Sequence, residues 1–188
     1  MNRSLGWTNQ REERLDLALQ GFRDALARCY RRMQDYLNKT SNLGAEFRYA
    51  IIPVVEALWW AVSADEELMD YHGRDKRSKY FQERQRFNNA DGVLLGVIYA
   101  RNRCGHQRAL IANDMSFRFG VPDRGFNQGR FGPAIVWREF NELPQPNRGA
   151  SSAGAQQYQD HLQDALVMDT LEQVAAWFNR AQQSWVAN

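Results

Sequence analysis

Val93-Leu94-Leu95-Gly96-Val97-Ile98-Tyr99-Ala100, followed at once by Arg101-Asn102-Arg103-Cys104-Gly105-His106-Gln107-Arg108, is where the chain passes from a nearly all-apolar run to a strongly polar one. A helix that is apolar all round belongs in the middle of a bundle. Asn88-Asn89 and Asp91 offer capping side chains at its start, so the pattern predicts a central helix from about residue 90 to about 111. On such a helix Asn102 and His106 share a face one turn apart. Arg101 lies a quarter-turn round, within reach of the same spot.

The flanking segments are helical as well. Leu15, Leu19, Phe22, Leu26, Cys29, Met33 and Leu37 recur every three or four residues, one buried stripe of a helix from about 9 to about 38, with Thr8 or Asn9 as its cap. Its other face carries Arg14, Asp24, Arg28, Arg31 and Arg32. Phe47, Ile51, Val54, Val55, Leu58, Trp59 and Val62 place a deeply buried second helix at about 44–72, kinked by Pro53 and stopped by Gly73. Residues 74–88 read as a basic linker, with Arg74, Lys76, Arg77, Lys79, Arg84 and Arg86 against Asp75 and Glu83. The period is lost from about 115 to 149, where alternation and Gly/Pro punctuation predict a β-hairpin or an ordered aromatic loop. Helix returns at about 156–186, first a short piece with Tyr158, Leu162 and Leu166, then a helix with Leu171, Val174, Ala175, Phe178, Ala181 and Trp185 that Asp169-Thr170 can cap. The expected fold is an all-α bundle of four to five helices with an inserted hairpin, in one domain spanning 1–188.

Composition sets further bounds. With 44% hydrophobic and 12% aromatic residues the chain has the material for a core, which excludes general disorder. The longest apolar stretch, Ala50 to Val62, is broken by Pro53 and Glu56 and is too short to span a bilayer. Without an apolar N-terminal leader, and with two cysteines in all, the expectation is a cytoplasmic, reducing setting. Of 24 basic residues only Lys39, Lys76 and Lys79 are lysine, so 21 are arginine, the side chain best suited to phosphate.

No dinucleotide or P-loop fingerprint is present, and Cys104 with His106 offers at most half a zinc site. Asp65-Glu66-Glu67 and Asp70 sit at the end of the second helix that disfavours acids, so a basic partner is expected, with 74–86 as its source. His72 and His161 read as surface or helix-end residues. Arg101, Asn102 and His106 remain: a guanidinium clamp, an amide and an imidazole titrating near neutrality. Such groups suit RNA cleavage by internal attack of a 2′-hydroxyl, which needs proton transfer and charge stabilisation but neither metal nor cofactor.

An Arg, a polar residue directly after it and a His beyond a short gap resemble the motif of the HEPN superfamily, small all-α proteins that include metal-independent ribonucleases of toxin–antitoxin and antiphage systems. The resemblance implies a homodimer whose two motifs share one cleft, with Arg101 on the scissile phosphate, Asn102 fixing the geometry and His106 transferring protons. Arg103, Arg108, Arg74, Lys76, Arg77 and Lys79 are the expected RNA contacts. A protein partner such as an antitoxin is also implied. Toxins paired with a nucleotidyltransferase carry Tyr two residues after the His; here that residue is Arg108, so nucleotidylylation is not implied.

The rival reading is a non-catalytic helical module that binds protein or RNA through the basic linker and the aromatic segment. In it Phe117, Phe119, Phe126, Phe131, Trp137 and Phe140 matter more than His106. DNA recognition is disfavoured, since no helix-turn-helix spacing is visible.

Overall fold

The structure is a computed structural model that describes residues 4–38, 43–73, 78–103, 110–119, 130–143 and 152–186. Among these residues it is an all-α bundle carrying one inserted hairpin. Six helices are present: α1 (Ser4–Asn38), α2 (Leu43–His72), α3 (Lys79–Arg86), α4 (Ala90–Asn102), α5 (Ser152–His161) and α6 (Val167–Val186). A two-stranded antiparallel sheet, β1 (Ile111–Phe119) with β2 (Arg130–Trp137), lies between α4 and α5. No described helix is long and apolar enough to cross a membrane.

α1 and α2 form an antiparallel pair. Their stripes meet as the periodicity predicts, burying Leu19, Phe22, Cys29 and Met33 against Val54, Leu58 and Val62. α1 starts five residues before the expected Asn9, so Thr8 and Asn9 are helical residues rather than caps. α2 continues through the buried Pro53 and ends at Gly73, whose φ of 97° is natural only for glycine. Burial pushes the Cys29 thiol up to about 12, which makes it an unreactive packing group.

The stretch expected to be a linker contains α3, which opens on Ser78 with its hydroxyl accepting from Phe81 N–H. α3 is held by one inward-turned arginine. Arg84, 4% exposed, donates from Nη1 to both oxygens of the fully buried Asp65 at 2.9 Å and reaches Asp91 on α4 from Nε at 2.7 Å. Tyr80 O–H donates to Asp65, and Trp177 of α6 donates from Nε1 to the Tyr80 oxygen at 3.2 Å. The basic partner predicted for the acidic end of α2 is therefore Arg84. Asn88 and Asn89 both take left-handed backbone, with φ of 41° and 59°. Asn89 caps α4 by position only, because that conformation keeps its amide from the helix N–H groups.

The hairpin pairs Ile111 with Trp137 through Asp114 with Ala134, then slips by one residue before Phe117 meets Gly132. The slip falls opposite Pro133, which has no N–H to give to a ladder. The turn between α5 and α6 clasps the base of the hairpin. Trp137 N–H donates to Ala165 O at 3.0 Å, Asp164 N–H to Trp137 O at 3.1 Å, and the Trp137 indole to Thr170 Oγ1 at 2.9 Å. Thr170 thus stands in the first turn of α6, not ahead of it. The closing helical region at about 156–186 is a short helix followed by a longer one, as predicted, with the break where Asp164 adopts a φ of 59°.

Candidate functional site

α4 is the most buried helix at its centre: Val93, Leu94, Val97, Tyr99 and Ala100 are all covered. It ends at Asn102, not near 111. Arg103 closes it through an N–H bond to Ala100 O at 2.9 Å, and by Ile111 the chain is a strand. Gly105 just past the end is a residue type common at helix stops, and Ile111 favours extended backbone. The prediction that Asn102 and His106 are neighbours on one helix face falls on a residue outside the described ones. His106 and Arg108 lie outside the described residues, as do Arg74, Lys76 and Arg77.

The structure places Arg101 and Asn102 together where α4 reaches the surface, Asn102 exposed and Arg101 half-buried. The Arg101 guanidinium lies over the indole of Trp59 on α2, 4.8 Å from the ring centroid. Its Nη2 is 4.0 Å from Glu66 Oε1, the outer limit of an ion pair, and its buried Nε–H has no acceptor among the described residues. A cation in the last turn is favoured by the helix dipole. The outcome is a guanidinium held in place by stacking, with donor capacity left over.

Arg103 is not an available phosphate contact, contrary to expectation. It is 6% exposed, its guanidinium lies 4.4 Å over the Tyr99 ring, and its Nη2 donates to the Tyr99 hydroxyl. Lys79 is exposed, with Nζ 3.8 Å from Glu83 Oε1 one turn along α3. Trp137 and Phe140 do not form an aromatic docking surface. Trp137 is fully buried and Phe140 packs on Tyr99 with ring centroids 5.9 Å apart. Phe126 lies outside the described residues.

Sequence reasoning placed Trp59 in the core, yet it is 51% exposed. The signal was present: Trp59 and Trp60 are consecutive, so their side chains point about 100° apart on a helix and cannot share the same buried arc. Trp177, completely buried, was also overlooked. Among the described residues no three His, Cys, Asp or Glu side chains are grouped to hold a metal ion. The acidic cluster at the end of α2 is instead divided among arginines, Asp65 with Arg84 and Glu67 with Arg14 at 3.3 Å.

Comparison of the chain with known protein families, with curated proteins and with solved structures finds no match.

Proposed function

We propose that the end of α4 is the centre of a metal-independent endoribonuclease of HEPN type, acting in the cytoplasm as a toxin or antiphage effector. The observation that carries this reading is Arg101, its guanidinium stacked on Trp59 beside an exposed Asn102. A phosphate drawn onto that guanidinium has its negative charge met by a donor fixed in advance, the requirement for stabilising a pentacoordinate phosphorane. Asn102 adds a neutral hydrogen bond. His106 accepts the 2′-hydroxyl proton as that oxygen attacks phosphorus, and the 5′-oxygen leaves with a proton from a second acid. The products are a 2′,3′-cyclic phosphate and a 5′-hydroxyl. A homodimer supplies that second acid from the other copy of the motif, and an antitoxin would act by covering the cleft.

The test is cleavage of a mixed RNA pool in EDTA. Cutting by the wild-type chain, with His106→Ala reduced at least a hundredfold at unchanged thermal stability, supports the proposal. An uncut pool at high protein concentration overturns it. The same stacked guanidinium beside an exposed amide also supports a second reading, RNA binding without cleavage at this surface. RNA that is bound but not cut would establish that reading.

A further inference from the structure

We infer that single-stranded RNA is held along the outer face of α2, with Trp59 as a stacking platform for an unpaired base and the arginines of α1 as phosphate contacts. The inference rests on the reading of the α4 end as an RNA site and extends it to the class of strand that is bound. Ile52, Trp59 and Glu66 recur at seven-residue intervals, so they lie in one stripe along about 20 Å of helix. Ile52 is 62% exposed and Trp59 51%, although both are large apolar residues of a helix whose other faces are buried. At the middle of the stripe Arg101 covers part of the indole. At the Ile52 end, Arg28, Arg31 and Arg32 of α1 line a cleft of about 350 Å³ with Ile52 and the carboxylates Asp35 and Glu56, so three guanidinium groups stand against two acids.

Arg28 is committed, gripping Glu56 with two bonds at 2.6 and 3.1 Å. Arg31 and Arg32 are exposed on the rim of the same cleft. The Arg28–Glu56 pair sits between Ile52 and Trp59, so this face has no continuous apolar centre of the kind a protein interface needs. Isolated aromatic surface alternating with guanidinium is how single strands are held: rings receive bases, cations follow the backbone. A duplex cannot use the indole, because its bases are already stacked.

The experiment measures binding of a fluorescein-labelled twelve-nucleotide oligouridine and of a blunt RNA duplex of equal length, using full-length chain carrying His106→Ala to prevent cutting. Adding Trp59→Ala should weaken oligouridine binding about tenfold, leave the duplex unaffected and leave the thermal melt intact. Trp59→Phe, which keeps a ring, should recover most of the loss. Arg31→Ala with Arg32→Ala should reduce the slope of log affinity against log salt by about 1.4, the share of two phosphates on a single strand. Unchanged oligouridine binding by Trp59→Ala, equal losses for single strand and duplex, or no oligouridine binding at all would each overturn the inference. If the stacking pattern is found while wild-type chain leaves RNA uncut in EDTA, the catalytic proposal fails and the binding track stands. Cutting with a neutral Trp59→Ala gives the reverse.

Discussion

His72 shows how environment decides a side chain's chemistry. As the last residue of α2 it should be favoured as a cation by the helix dipole, an effect of about 0.3–1 kcal/mol. Burial, with nearby Lys79 adding to it, instead pulls its pKa down to about 4, and its ring lies parallel to that of Tyr80 with centroids 6.2 Å apart. The folded chain therefore keeps His72 neutral where the unfolded chain would protonate it. The unfolded state binds more protons between pH about 6.5 and about 4, so this contribution is full above that window and is lost as pH falls through it. Discounted for the solvent that reaches the ring, the loss is about 1 kcal/mol. Urea midpoints at pH 7 and pH 4.5 should fall further for wild type than for His72→Gln, and parallel falls would show that another group is responsible.

Helices were legible where a periodic stripe is long, as in α1 and α2, because burial of one face imposes its spacing on the sequence. Their ends were less so. The apolar start and the caps predict α4 to about 111, whereas the helix stops at Asn102 and Ile111 joins a strand, paired with Trp137, 26 residues further on. That pairing is a tertiary event with no local imprint. α3 was hidden in a basic run because charge was read as solvent exposure, and a single Arg–Asp contact reverses this for Arg84. Of the candidate site, Arg101 and Asn102 were legible as a polar break on an apolar helix. The Trp59 contact was not, since it depends on how α2 and α4 cross. The close approach of α1 to α2 is another such property. The Trp60 ring occupies the space that a Cβ on Gly21 would need. On an isolated helix Gly21→Ala would stabilise by about 1 kcal/mol. Here the methyl group meets an indole, so the substitution should destabilise by about 1–3 kcal/mol in chemical denaturation. A stabilised variant would show that the helices can separate at little cost.

Across the whole molecule, Asp65, Tyr80, Arg84 and Asp91 join α2, α3 and α4 through charge, and Trp177 adds α6. Burying ions is expensive, and this set is tolerable because its main oxygens and N–H groups find one another. Arg84→Met leaves the Asp65 carboxylate enclosed without its cation, so a loss of about 3–5 kcal/mol is expected by urea unfolding. Asp65→Asn combined with Arg84→Met should recover part of it. If the double variant is as unstable as the two losses summed, the partners act independently.

The same closure restricts what drift can do to this chain. A lineage that replaces Asp65 or Arg84 alone is left with an enclosed charge, so these two are inherited together or exchanged for oils in concert, and Tyr80 and Asp91 complete the set. Their separations of 14, 3 and 6 intervening residues, Asp-x14-Tyr-x3-Arg-x6-Asp, amount to a barcode by which remote cousins can be picked out after overall resemblance has eroded.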